Sequence, residues 1–292
     1  MLRDPDIVDI HCKNPEGSEG THRISLCKWG NPEHTKKAFC VHGLTRNARD
    51  FDYLASELMR EYQVFAPDMP GRGKSEWLKE PAWYNYGIYV GDVLQIFAAE
   101  KFTQVDFIGT SMGGIIGMMI AANFPQTIRK LVINDIGPFI PKDALLRIAQ
   151  YAGVQPHFTD MAKAKQYYAD VYTPWNLEKP EHLEHMIAHG IVHAKGGGFT
   201  THYDPNIAFT LKDKDGKPFV EKDVDLWEMW EKVQCPVLLL RGQESDLFPR
   251  EVALEMQKRH GNLTLIEYAH TGHAPSLMRE SQVAEVKNWL SL

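Results

Sequence analysis

The sequence predicts an α/β fold: a mostly parallel central sheet with helices on both faces, carrying an inserted helical cap. Three observations predict it. Short apolar runs alternate with amphipathic stretches up to about Gly137, the pattern of right-handed βαβ units whose helices cover a parallel sheet. From Gly137 to about Val233, helical segments follow one another without a strong strand. The alternation then resumes with Pro236-Val237-Leu238-Leu239-Leu240, a continuous apolar run of the kind shown by a parallel strand buried on both faces. The expected organisation is a core in two parts, residues 1–136 and 234–292, with residues 137–233 as the cap.

The first strand in this reading is Ala38-Phe39-Cys40-Val41, which ends at His42-Gly43. Asn47 to Tyr62 and Tyr86 to Phe102 carry apolar residues at helical spacing and are predicted to cover the sheet. Between them lies the short apolar run Val64-Phe65-Ala66, ahead of Asp68 to Ser75. Val105-Asp106-Phe107-Ile108 and Lys130-Leu131-Val132-Ile133-Asn134 read as further strands, with a helix from Gly114 to Phe124 between them. Cap helices are predicted near Lys142 to Ala152, Thr159 to Val171, Pro180 to Ala194 and Glu221 to Val233, interrupted by Gly196-Gly197-Gly198 and Asp213-Lys214-Asp215-Gly216-Lys217. Leu263 to Glu267 is the last strand and Glu280 to Leu290 the last helix.

Chemistry is concentrated in Gly109-Thr110-Ser111-Met112-Gly113, set between a strand and a helix. A strand running straight into a helix forces the turn residue into strained backbone geometry. Glycines two before and two after remove the Cβ atoms that would collide there. Ser111 is thereby presented at the top of the sheet as a nucleophile. Its base is expected late in the chain, and His273 in His270-Thr271-Gly272-His273-Ala274 lies on a loop after a strand, where chemistry is commonly carried. His270 is the competitor, read as a solvated loop residue.

A carboxylate must fix the tautomer of the imidazole and stabilise the imidazolium. Asp246 is preferred, because it follows the buried run ending at Leu240 and the turn Arg241-Gly242-Gln243-Glu244-Ser245. Asp135, directly after the strand ending at Asn134, is the alternative; its other reading is a turn former before Gly137-Pro138. Glu244 reads as a solvated charge. Oxyanion donors are expected from the backbone N–H of Met112 and from that of Leu44, presented by the His42-Gly43-Leu44 turn.

These motifs, in order, make the chain resemble the α/β-hydrolase superfamily over nearly its whole length. They are His42-Gly43 after an early strand, Asp68 to Ser75 after Val64-Phe65-Ala66, the turn at Ser111, Asp246 after the late strand, and Gly272-His273. The resemblance implies a triad of Ser111, Asp246 and His273, with Leu44 and Met112 as oxyanion amides. It implies cleavage of a small to medium carboxylic ester or lactone through an acyl-enzyme, without a cofactor. The fold also hosts acyltransferases, carbon-carbon bond hydrolases, perhydrolases and ligand receptors, so it does not name a substrate. A serine at the turn argues against dehalogenation and epoxide opening, which use an aspartate there.

Composition sets the remaining bounds. A chain of 292 residues suffices for one large core with an insertion. A net charge of -6 with scattered acidic residues and no basic tract gives no sign of a nucleic-acid partner. The expected partner is a small-molecule ester or lactone. Neither a signal-like start nor a membrane-spanning run is seen, which makes the cytoplasm the expected compartment. Cys12, Cys27, Cys40 and Cys235 lack paired metal spacing and read as reduced. Asp68 to Ser75 ends in Gly-Lys-Ser but has Asp68 where a phosphate-binding loop requires glycine. His182, His185, His189 and His193 recur at helical steps; they are read as a polar helix edge rather than a metal site.

Overall fold

The computed structural model describes residues 2–15 and 17–292. An antiparallel hairpin comes first, β1 (Asp6–Lys13) and β2 (Thr21–Trp29), followed by β3 (Lys36–Val41), α1 (Asp52–Leu58) and β4 (Tyr62–Pro67). Next come α2 (Tyr86–Ala99), β5 (Val105–Thr110), α3 (Met112–Asn123) and β6 (Ile128–Asn134). The inserted region contains β7 (Phe139–Ile140), α4 (Lys142–Tyr151), α5 (Met161–Val171), α6 (Pro180–Gly190), β8 (Ile191–His193), β9 (Phe199–Thr201), β10 (Val224–Asp225) and α7 (Trp227–Trp230). The core closes with β11 (Val237–Gly242), α8 (Arg250–Arg259), β12 (Leu263–Tyr268) and α9 (Glu280–Ser291).

Eight strands form one sheet in the order β1-β2-β4-β3-β5-β6-β11-β12. It is parallel from β4 through β12 and antiparallel only where β2 meets β1 and β4. Two-residue periodicity divides its apolar side chains between two faces. Phe39, Phe107, Leu131 and Leu239 pack with α2, α3 and α8, whereas Cys40, Ile108, Val132 and Leu240 pack with α1 and α9. Both faces are therefore buried, which is why the central strands read as unbroken apolar runs.

Several elements differ from their predicted bounds. Asn47 to Tyr62 is not one helix: Asn47 caps a 3₁₀ turn at Ala48–Phe51, α1 follows, and buried Tyr62 opens β4. The helix predicted from Pro180 to Ala194 stops at Gly190, because Gly196, Gly197 and Gly198 all adopt positive φ and reverse the chain, pairing β8 with β9. Of Glu221 to Val233 only Trp227–Trp230 is α-helical, and Val224-Asp225 instead pairs with β7.

The inserted region is tied to the core at several points. Tyr84 Oη donates to Asp204 Oδ2 at 2.6 Å, Asn47 Nδ2 to the His189 carbonyl at 2.9 Å, and Gly272 N to the Pro174 carbonyl at 2.6 Å. Arg46, ion-paired with Asp50, also donates to the Tyr172 hydroxyl and lies over the rings of Tyr172 and Trp175. No helix among the described residues is long and apolar enough to cross a membrane.

Candidate active site

Ser111 stands between β5 and α3 with φ 52° and ψ -112°, the strained turn that the sequence predicts. Its N–H donates to the Asn134 carbonyl at 2.9 Å, fixing it against the end of β6. The flanking glycines are required by close approach. A Cβ at Gly109 would lie 2.3 Å from the Gly113 backbone, and one at Gly113 would lie 2.0 Å from the Val41 carbonyl oxygen.

His273 Nε2 lies 3.0 Å from Ser111 Oγ, and its Nδ1 lies 2.7 Å from Asp135 Oδ2. A carboxylate only accepts, so Nδ1 carries the proton in the neutral ring and Nε2 presents its lone pair to the serine. The acid partner is thus Asp135, not Asp246. Asp246 is 67% exposed and pairs with Arg147 at 3.0 Å on the surface. The residue before it, Ser245, is the one whose side chain reaches the acid. The end of β11 and the turn after it serve the acid instead: Gly242 N donates to Asp135 Oδ1 at 2.8 Å and Ser245 Oγ to Oδ2 at 2.6 Å. Asp135 is fully buried, and its φ of 58° turns its carboxylate towards His273. Asn134 braces the arrangement, its Nδ2 donating to Thr110 Oγ1 at 3.1 Å and to the Pro275 carbonyl at 2.8 Å. His270 is 87% exposed beside Glu244, as a solvated loop residue would be.

The His42-Gly43-Leu44 turn lies across from the serine, with an ideal Cβ on Gly43 only 3.8 Å from that of Ser111. His42 fixes the turn: Met69 N donates to its Nε2 at 2.9 Å, so its Nδ1 is the protonated nitrogen, which meets the Gly43 carbonyl at 2.7 Å. Complete burial, with Arg72 and Arg46 nearby, lowers the pKa of His42 to about 3 and keeps it neutral. Met112 is the first residue of α3, where no preceding helical turn accepts its N–H.

A residue that the sequence reading left inside a longer motif joins these two turns. Arg72 is fully buried; Nε donates to the Leu44 carbonyl at 2.8 Å, and Nη2 lies 3.5 Å from Met112 Sδ. Its remaining contacts are the Tyr89 hydroxyl, the Pro70 carbonyl and the rings of Tyr84 and Tyr89. A lone arginine within Gly71-Arg72-Gly73 carries no pattern in the sequence that separates it from a surface turn.

Of the predicted stripe, His182, His185 and His189 share one edge of α6, with His182 and His185 both against Tyr53, whereas His193 lies beyond the helix. His182 is buried against Tyr53, and His193 belongs to β8 beside Phe199. His185 and His189 approach Asp52, but Arg49 already occupies both oxygens of that carboxylate, at 2.9 and 2.8 Å from Nε. Burial and then Arg49 lower the pKa of His189 to about 3.

The sequence model of the alpha/beta hydrolase fold family matches residues 39–279. The 3-hydroxybutyrate-oligomer hydrolase of Cupriavidus necator is 34% identical over 287 residues, spanning 97% of each chain. Among solved structures, a Rickettsia typhi protein assigned as a hydrolase superposes with a TM-score of 0.90 at 33% identity, covering 98% of this chain and 99% of that one. An alpha/beta hydrolase from Novosphingobium aromaticivorans gives 0.85 at 28% identity, with the same coverage. A chain matched over most of its length by the family, with a mostly parallel sheet and a serine at its strand-to-helix turn, belongs to the alpha/beta hydrolases and is a hydrolase of that fold.

Proposed function

We propose that the chain is a serine hydrolase that cleaves short oligomeric esters of 3-hydroxy acids through an acyl-enzyme. The observation that carries the mechanism is the unbroken relay from Ser111 Oγ through His273 to buried Asp135, at 3.0 and 2.7 Å. His273 Nε2 takes the proton of Ser111 as Oγ attacks the ester carbonyl, while Asp135 holds the ring and stabilises the imidazolium. The amides of Leu44 and Met112 receive the oxyanion. Collapse expels the alcohol end of the substrate, protonated by His273, and leaves the acyl-serine. A water then gives a proton to His273 and attacks the acyl-serine, and collapse releases the acid as His273 returns that proton to Ser111 Oγ.

Support for the substrate class comes from the C. necator relative, alike over 97% of both chains. The inserted region acts as a cap in this reading, its Pro174 resting against Gly272 next to His273. A roofed site suits a flexible chain end better than a polymer surface. Incubating linear 3-hydroxybutyrate trimer with wild type and Ser111→Ala, and following release of monomer and dimer, tests the proposal. Wild-type cleavage with loss of about 10⁶-fold in the variant is expected. Cleavage of p-nitrophenyl butyrate with no action on the trimer would remove the substrate class and keep the mechanism; equal rates in both proteins would remove the mechanism.

A further inference from the structure

Away from the serine, β1, β2 and α2 bring Cys12, His22 and Asp92 together. Cys12 and His22 are direct partners across the antiparallel pair, so their side chains leave the same face of the sheet. That face is covered by α2, which supplies Asp92. All three are buried, at 0%, 3% and 1% exposure, and their donor atoms lie within 4.8 Å of one another.

The polarity of the cluster is unresolved by the protein's own groups. Asn14 Nδ2 donates to the Glu19 carbonyl at 2.9 Å, which fixes the orientation of the amide and leaves Oδ1 as an acceptor 3.1 Å from His22 Nδ1. His22 therefore carries its proton on Nδ1, and in the neutral ring Nε2 is a lone pair. That lone pair lies 3.1 Å from Asp92 Oδ1, another electron-rich atom. Nε2 and Asp92 Oδ2 are both buried with no hydrogen-bond partner among the described residues. Two unsatisfied buried polar atoms are costly unless something fills the space between them.

We propose that Cys12, His22 and Asp92 form a structural site for a borderline divalent cation of the zinc class. A thiolate, a neutral imidazole and a carboxylate are its usual donors. Metal bonds of about 2.0 to 2.3 Å at tetrahedral angles set ligands about 3.3 to 3.6 Å apart, close to the nitrogen-to-oxygen separation of 3.1 Å already present. Asn14 on Nδ1 supplies the outer hydrogen bond that holds a ligating imidazole in register. Binding releases the Cys12 thiol proton, and a water completes the fourth position. A hollow of about 400 Å³, whose walls include Asn14, Ile88, Gly91, Asp92 and Gln95, leads from the surface to the aspartate. The site clamps the edge hairpin to α2.

Cobalt(II) titration of the chelator-treated full chain tests this, because thiolate coordination gives a near-ultraviolet charge-transfer band. Saturation at one cobalt per chain is expected in wild type and Ser111→Ala, with the band lost in Cys12→Ala. Asn14→Ala, which leaves the three ligands in place, is expected to bind about 10- to 100-fold more weakly, so the proposal stays testable even if Cys12→Ala does not fold. Absence of the band in wild type, or its survival in folded Cys12→Ala, overturns the proposal, as does unchanged affinity in Asn14→Ala.

Discussion

Ser245 Oγ donates to Asp135 Oδ2 at 2.6 Å, the same oxygen that meets His273 Nδ1 at 2.7 Å. The turn after β11 thus supports the acid from the next strand over rather than containing it. Asp135→Asn is expected to lower kcat by about 10⁴-fold, since the amide favours the wrong imidazole tautomer. Asp246→Asn should leave kcat within a factor of two or so, its ion pair with Arg147 being exposed. Steady-state kinetics on one ester decide the matter: the reverse ranking would return the acid to Asp246. Ser245→Ala should fall between the two.

Arg72 braces the turn at Leu44 through its bond to the Leu44 carbonyl, which in the proposed mechanism carries an oxyanion amide. Arg72→Met retains bulk but loses the bond to the Leu44 carbonyl. We expect kcat to fall by up to about 10²-fold, the lower end for loss of one oxyanion donor, with KM little changed. Arg72→Lys should not rescue, because one ammonium cannot reach Leu44, Pro70 and Tyr89 together as the planar fork does. A proportionate rise in KM would instead assign Arg72 to binding.

Two glycine-to-alanine changes should move in opposite directions. Gly113→Ala drives a methyl into the Val41 carbonyl at 2.0 Å, so both activity and several kcal/mol of stability, on the order of the larger point-mutant effects, should be lost. Gly91 lies within α2 with nothing within 4 Å of an added Cβ. Gly91→Ala should therefore stabilise by about 0.5 to 1 kcal/mol. Urea midpoints with unchanged slope would establish both.

Acidification should destabilise the fold before any carboxylate of ordinary pKa titrates. His42 and His189, lowered from 6.5 to about 3, take up protons on unfolding anywhere between those limits. Their contribution is complete above pH 6.5 and is lost as the pH falls towards 3. Asp68, raised by burial from 3.8 to about 6, acts oppositely in part of that window, because there the folded state holds the extra proton. Burial also lowers His182, His202 and His260 and raises Asp52 and Asp92; with the histidines in the majority stability decreases with falling pH, and each uncompensated proton accounts for about 1.4 kcal/mol per pH unit. Urea unfolding at pH 7 and pH 5 measures this; a flat or rising profile on acidification would contradict the neutral state assigned to His42.

The central strands, the serine turn and the histidine were legible because each leaves a local mark. Leu238 and Leu240 lie on one face of β11 and Leu239 on the other, all three fully buried, so the strand shows as a continuous apolar run. Gly109 and Gly113 show as a spacing because backbone approaches backbone there. Asp135 and Asp246 were not separable in the same way: each follows a strand, and direction is set by one residue of backbone, the positive φ at Asp135. Strand β1 escaped because it is an edge strand with one face largely solvent-exposed, so it shows no continuous apolar run. Arg72 escaped because its partners are main-chain carbonyls and a tyrosine more than a dozen residues away, none of which imposes a pattern on the neighbouring sequence.

Ser111 and Asp135 both hold left-handed backbone, at φ 52° and 58°, a conformation that disfavours a side chain by roughly 1 to 2 kcal/mol per residue. Glycine at either place would relieve that conflict while abolishing the relay. Relief of strain at these two places therefore runs through inactivation, whereas Lys101 and Asn176, which also hold positive φ, lie away from the relay. A screen that selected for endurance alone could thus trade away the nucleophile and leave a well-folded protein bearing every outward sign of the family and none of its chemistry.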